Sequence, residues 1–246
     1  MITFPELGQW GRLGNQLFQV AATVALAMEH GEGYGFPRWP YEGRFGIGGC
    51  FHDELLRRGP EHREKRFAWD PIRHQPGLKL YGFFQSEKYF GDFAPLIRRL
   101  LTPRVTYVRA KYLGVASVHV RRGDYLDKPD CHPPQTVEYY ERAEAECRRA
   151  GIKEFLVFSD DRAWCRTHLA QRQGWRMSDP GDEVTHLSEM AACEAHVIAN
   201  SSFSWWGAWL DPREQKLVVA PKDWFGPTLA PTHPTSDLIP SAWKVV

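Results

Sequence analysis

A chain of 246 residues has room for one large domain or two small ones, each able to bury a core of its own. Its 31 Lys and Arg are balanced by 30 Asp and Glu, which leaves neither the basic footprint of a nucleic-acid binder nor a polybasic membrane patch. A local cationic cluster for a small anionic ligand is compatible with that neutral total. Five cysteines without a CxxC pair carry no zinc or redox-dithiol signature and are expected as reduced thiols.

In chain order, residues 2–4 read as a short strand that leads through a glycine-rich turn into a helix over residues 15–29. Leu17, Val20, Ala21, Val24 and Met28 give that helix an apolar stripe at helical spacing. Residues 1–10 have neither a basic nor an apolar leader region, and the apolar stretch at 20–28 is too short to cross a bilayer. The expectation is a cytoplasmic chain with no transmembrane segment. Residues 31–76, rich in Gly, Pro, Arg and aromatics, lack periodicity and are expected to be irregular. Residues 78–83 read as a strand and 86–101 as a helix. Pro103 then marks a change of domain between Leu101 and Leu113, giving lobes over residues 1–107 and 108–246.

The second half is more regular. β-rich runs at 115–120, 155–158, 195–199 and 217–220 alternate with helical segments at 136–150, 162–173, 186–194 and 203–210. Glu138–Arg142 and Glu144–Arg148 mark a solvated helix face, and Gly151 stands where a C-cap is expected. Such alternation predicts a parallel sheet of Rossmann type. In open α/β sheets ligands bind beyond the carboxyl ends of the strands. Those ends read Arg121-Arg122-Gly123-Asp124, Ser159-Asp160-Asp161, Asn200-Ser201-Ser202-Phe203-Ser204 and Pro221-Lys222-Asp223-Trp224.

These endings have the chemistry of a nucleoside diphosphate pocket. An arginine fork takes two phosphate oxygens at once, and a Ser-rich turn opening a helix aims N–H groups at an anion. Asp160 and Asp161 either accept from a ribose or a guanine edge or cap the following helix. Asp124 either pairs with the arginines or serves as a base. Asn200-Ser201-Ser202 fits a glycosylation sequon, which a chain without a leader would not use. No Walker lysine motif and no GxGxxG after a strand is present.

Four ordered blocks carry a resemblance: GRLGNQLFQ from Gly11, HVRRGDY from His119, FSDD from Phe158 and NSSFSWWGAWL from Asn200. Together they resemble the α-1,2-fucosyltransferase family, bacterial type, of glycosyltransferase family 11. The resemblance implies an α/β, GT-B-like fold of two Rossmann-type lobes with the active site in the crevice between them. It also implies GDP-β-L-fucose as donor, a galactose-containing oligosaccharide or glycan as acceptor, no cofactor and no metal. Arg121 looks like the grip on the diphosphate, with Arg122 beside it and His119 its companion on the strand. Gly14 and Asn15 look like a first-lobe contact to the fucosyl phosphate. Asp160 or Asp161 looks like a guanosine contact, and Ser201, Ser202 and Phe203 like a phosphate-cradling turn. Rival readings are a fucosyltransferase of other linkage, α-1,6-like or O-fucosyl, and a non-catalytic carbohydrate-binding protein.

Overall fold

The computed structural model describes residues 1–48, 50, 51, 59–105 and 107–246. The chain forms two compact units, Met1–Arg104 with Thr232–Pro240, and Val105–Pro231 with Ser241–Val246.

The first unit is built on β1 (Ile2–Thr3), β2 (Tyr34–Gly35), β3 (Glu61–Arg63) and β4 (Lys79–Tyr81), all parallel, in the order β2-β1-β4-β3. Helix α1 (Leu13–Glu29) follows β1 and buries nearly its whole surface from Leu13 to Ala27. It starts two residues earlier than its apolar stripe suggests, so Gly14 and Asn15 lie in its first turn and not in the glycine-rich turn before it. The expected helix over 86–101 is broken. Two 3₁₀ turns (Glu87–Tyr89 and Gly91–Phe93) precede a short α2 (Ala94–Leu101). Pro95 lacks an N–H and fits only the first turn of α2, which fixes where the regular helix can begin.

Strands β2 and β3 fall within the stretch expected to be irregular, and at two and three residues they are too short to show a period. Part of that expectation concerns Gly49 and residues 52–58, which lie outside the described residues. The segment Thr232–Pro240 belongs to the first unit, where Asp237 accepts the Trp69 N–H at 3.0 Å and pairs with Lys88 at 2.5 Å.

The second unit carries β5 (Val115–Val120), α3 (Val137–Arg149), β6 (Glu154–Ser159), α4 (Arg162–His168) and β7 (Trp175–Met177). After these come α5 (Glu183–Ala192), β8 (Ala195–Val197), α6 (Ser202–Trp209), β9 (Leu217–Ala220) and β10 (Lys244–Val245). The six strands are parallel in the order β10-β9-β8-β5-β6-β7. Numbered within the unit this is 3-2-1-4-5-6, the doubly wound order, and its direction reverses between β5 and β8. All six residues of β5 are buried, as a central parallel strand covered on both faces requires. Edge strands β7 and β10 were not evident in the sequence, since three and two residues set no pattern. Gly151, at φ +89°, ends α3 as expected, and Glu144 pairs with Arg148 at 2.6 Å.

Most of the tryptophan-rich block is core. Trp205 and Trp206 are fully buried, and Trp209 stacks on Trp205 at 6.0 Å. A side chain at Gly207 would press within 3.0 Å of Met190 on α5, so glycine sets the separation of the two helices.

A polar network crosses the sheet interior. Ser117 Oγ meets His196 Nδ1 at 2.9 Å, and His196 Nε2 meets Asp211 Oδ2 at 3.1 Å. Arg213 donates to both Asp211 oxygens, at 2.9 and 3.1 Å. These are the residue types of a hydrolytic triad, but Ser117, His196 and Asp211 are exposed by only 3%, 0% and 0%. No substrate can reach them, and the network pins β5, β8 and the chain after α6 together. Burial alone would raise the Asp211 carboxyl; its bonds to His196 and Arg213 instead hold it at about 2. Asp211→Ala would leave Arg213 without its buried counter-charge and His196 Nε2 without its hydrogen-bond partner, and should cost about 3–5 kcal/mol, measured as a lowered urea midpoint.

Candidate functional site

The reversal between β5 and β8 leaves their carboxyl ends diverging, and the polar endings of both strands gather there. Two adjacent tyrosines on α3 fix this edge. Tyr139 donates its hydroxyl to Ile198 O at 2.6 Å and Val219 O at 3.2 Å, while Tyr140 donates to His119 O at 3.2 Å. One helix thus holds the ends of β5, β8 and β9.

Just past β5, Arg121 is largely enclosed, with 14% of its side chain exposed. Its Nη1 lies 2.7 Å from Asp160 Oδ2, and its other terminal nitrogen donates to Asp124. The Tyr125 ring lies 5.5 Å from the guanidinium centre, and the Tyr125 hydroxyl donates to Asn200 O at 2.8 Å, joining the β5 ending to the β8 ending. Asp160 also accepts the Arg122 N–H at 3.0 Å. A side chain at Gly123 would come within 2.7 Å of the same carboxylate and would have to displace it. Asp124 is 51% exposed against 28% for Asp160. Of the two carboxylates on Arg121, Asp124 is therefore the one a ligand can exchange with least loss of packing.

Arg122 turns toward α4. Its Nε donates to Asp161 Oδ2 at 3.1 Å and its guanidinium lies 4.3 Å from the Trp164 ring centroid. Asp161 caps α4 by accepting the Trp164 N–H at 3.0 Å. That N–H and then Arg122 draw its carboxyl below the usual range. Of the two roles left open for the acidic pair, capping is occupied by Asp161, while Asp160 is engaged with Arg121.

On the β8 side, Asn200 is buried and donates to Pro133 O and Trp224 O, each at 3.0 Å, so its amide is unavailable to glycosylation machinery. Ser201 stands at the N-cap of α6 with extended backbone, and its hydroxyl makes no capping bond to the helix. The N-terminus of α6, with Ser201, Ser202 and Phe203 half-buried, keeps the donor character that attracts an anion. His119 lies behind it, its ring centroid 5.5 Å from that of Phe203. Its Nδ1 is buried without a hydrogen-bond partner. Burial, then the Arg121 charge, pushes the imidazole down to about 3, so it is neutral at any ordinary pH.

In the first unit β1 and β4 are the two central strands of the sheet. There Gln85 Nε2 donates to Asn15 Oδ1 at 3.0 Å, and Gln19 Nε2 donates to Gly82 O at 3.1 Å. Gly14 is buried in the first turn of α1, and Arg12 at the N-cap offers no side-chain cap.

The structure thus gathers His119, Arg121, Arg122, Asp124, Asp160, Asp161, Ser201, Ser202 and Phe203 along one edge of one sheet, and places Gly14 and Asn15 in the other unit. Tyr125, Tyr139, Tyr140 and Gln85 were not singled out from the sequence. A tyrosine pair in a helix following a strand ending was the only available signal. Among the described residues no group of three or more His, Cys, Asp or Glu is placed to hold a metal ion, and no helix is long and apolar enough to cross a membrane.

Comparison with known proteins agrees in fold and motifs. Residues 78–229 match the model of Glycosyl transferase family 11. An α-1,2-colitosyltransferase of Escherichia coli is 32% identical over 163 residues, covering 60% of this chain and 56% of the relative. The galactoside 2-α-L-fucosyltransferase Sec1 of Mus musculus is 26% identical over 232 residues, covering 81% and 62%. The chain spans about half the length of the curated relatives it matches. Its fold resembles the crystal structure of POFUT1 in complex with GDP, with a TM-score of 0.57 and 13% identity over 89% of this chain and 97% of the other.

Two buried imidazoles give the protein a testable acid response. His119 and His196 are both shifted below the ordinary 6.5, in each case chiefly by burial. The unfolded chain takes up protons at these rings below 6.5 and the folded one does not, so stability falls as pH falls from 6.5 toward the folded values. Each ring contributes up to about 1.4 kcal/mol per pH unit. Unfolding midpoints at pH 7 and pH 5 should show this loss, and His119→Gln should reduce it.

Proposed function

The chain is a member of glycosyl transferase family 11, and we propose that it is an inverting transferase moving L-fucose from GDP-β-L-fucose to the 2-hydroxyl of a galactoside. The observation that carries this reading is Arg121, held in an enclosed position at the end of β5, whose neighbour β8 leads into the N-terminus of α6 at the sheet's reversal point.

On this reading the C1–O bond to the β-phosphate breaks as the acceptor O2–C1 bond forms on the opposite face, which turns a β donor into an α product. Negative charge grows on the departing phosphate, so donors already aimed at it lower the barrier more than they tighten ground-state binding. Arg121 supplies one such donor. Its bond to Asp160 keeps the guanidinium in place while the phosphate replaces Asp124. Ser201, Ser202 and the amides opening α6 supply others. With positive charge provided by the chain, no metal is needed. The acceptor proton passes to a carboxylate or to the leaving phosphate; Asp124, once released from Arg121, is the exposed carboxylate of this edge. The resemblance of residues 11–19 to the family's first block is what assigns Gly14 and Asn15 to the fucosyl phosphate. On this reading the protein acts in the cytoplasm, without a cofactor, on a glycan or oligosaccharide.

A second donor is favoured by one finding, the α-1,2-colitosyltransferase among the relatives. Colitose is fucose without its 3-hydroxyl, so both sugars would present the same diphosphate to Arg121.

GDP release from GDP-fucose, measured with and without lactose in EDTA, tests the reading. Lactose-dependent release insensitive to EDTA is expected, and inhibition reversed by Mn²⁺ would remove the metal-free mechanism. Arg121→Ala should lower kcat/KM by a factor corresponding to about 3–4 kcal/mol of barrier without loss of the folded state; near-normal turnover would remove Arg121 from its role.

A further inference from the structure

Phe84 is the one non-glycine among the described residues with a left-handed backbone, at φ +52°. A bulky residue in that region is strained, and such strain persists only where the surroundings over-determine it. Here two sets of contacts do so. The Phe84 ring is fully buried, edge-on to Phe4 at 6.4 Å and to Tyr89 at 5.3 Å. The backbone is held from the other side by Glu64, whose Oε2 accepts the Phe83 N–H at 2.7 Å and whose Oε1 accepts the Phe84 N–H at 3.1 Å. Gly82 has no side chain because one would strike Glu64 Cβ at 2.4 Å.

The result of this clamped turn, just past the carboxyl end of β4, is the placement of Gln85. Its Nε2 donates to Asn15 Oδ1 at 3.0 Å. The opposite end of the Asn15 amide lies against Gly11, where an added side chain would come within 2.4 Å of Asn15 Nδ2. Gly11 itself has φ +72°, which favours glycine on backbone grounds as well. Asn15 is therefore held at its oxygen by Gln85, while its nitrogen end packs against Gly11. Its oxygen faces Gln85, and its NH₂, the donating end, faces the glycine-rich turn before α1.

We propose that Gln85 is a positioning residue that sets the direction of the Asn15 amide, and that Glu64 holds the strained turn that delivers Gln85. The proposal rests on the reading that Asn15 meets the donor's phosphate. An anion requires the NH₂ end of an amide and is repelled by the oxygen end. Without Gln85 the amide can turn over and present the wrong atom.

The test exploits an isosteric reversal. Gln85→Glu keeps size and shape but replaces the donor that faces Asn15 Oδ1 with an acceptor, which favours the flipped amide. Gln85→Met keeps length and removes the preference. Donor KM and kcat, and the Kd for GDP by titration calorimetry, are measured on the whole chain, with thermal unfolding as a control. Expected is a loss in kcat/KM for GDP-fucose of tenfold or more for Q85E and about three- to fivefold for Q85M, the larger part in KM. Glu64→Gln should fall between them, since its NH₂ group would confront one of the two backbone N–H donors.

Equal kinetics for Q85E, Q85M and the unaltered protein would overturn the role of Gln85. So would a loss that only follows the unfolding temperature. Should Q85E not fold, Q85M decides alone, and an unchanged donor KM overturns the proposal. If the unaltered protein neither binds GDP nor releases it from GDP-fucose, the donor reading falls and this proposal with it.

Discussion

The reversal of strand order between β5 and β8 is the constraint from which the rest of the second unit follows. Neighbouring parallel strands whose connections leave in opposite directions cannot cover the gap at their carboxyl ends with their own crossovers. Polar endings survive there because they remain accessible, while the strands themselves are sealed. The edge must nonetheless be rigid, since donors placed for a developing charge act only if they need no rearrangement. Tyr139 and Tyr140 supply that rigidity by bonding carbonyls at the ends of three strands. The Ser117–His196–Asp211–Arg213 network does the same from inside the sheet.

Arg121 shows how such an edge keeps a cation ready. A guanidinium enclosed without a partner would carry a large desolvation cost, and one fully enclosed by carboxylates could not exchange them. The arrangement is asymmetric. Asp160 is fixed by its further bond to the Arg122 N–H and by the space at Gly123, whereas Asp124 stands mostly in solvent. On the proposed reading an entering dianion would displace the exposed partner and leave the enclosed one in place, so the arginine would change ligand without changing position. The neutral His119 behind it adds no competing charge, because burial and Arg121 itself keep the ring unprotonated.

Much of this was legible in the sequence, and the limits have physical causes. Strand β5 is six buried residues, and α3 carries an apolar stripe with paired charges, so both declare themselves through period and composition. Strands β2, β3, β7 and β10 have two or three residues and exist through pairing with neighbours, which no local pattern encodes. The break at 86–101 has a local cause in Pro95, which fits only the first turn of α2. The chemistry of the strand endings could be read from residue types, but not who pairs with whom. Asp161 at the N-cap of α4 follows from its place before a helix, while the Asp160–Arg121 contact depends on the register of β5 with β6. Glu64 and Gln85 left no trace because their meaning comes from one backbone angle at Phe84.

The tryptophans sharpen what the family motif means physically. Aromatic residues in a carbohydrate-active chain invite a reading as sugar platforms, yet Trp205, Trp206 and Trp209 are core and Gly207 exists to let α6 approach α5. Their work is indirect. A helix whose N-terminus is to face an anion must be anchored against the pull of water on that end, and burying three indoles along eight residues anchors it strongly. The dense block after Asn200 thus joins two features in one short helix: hydroxyls and amides at the start, where the proposed reading puts a phosphate, and apolar mass behind, which keeps that start from moving. These three indoles are therefore not sugar platforms; the exposed tryptophans of the chain, Trp10 and Trp69, lie elsewhere, and the work of the buried ones is to hold a helix end still.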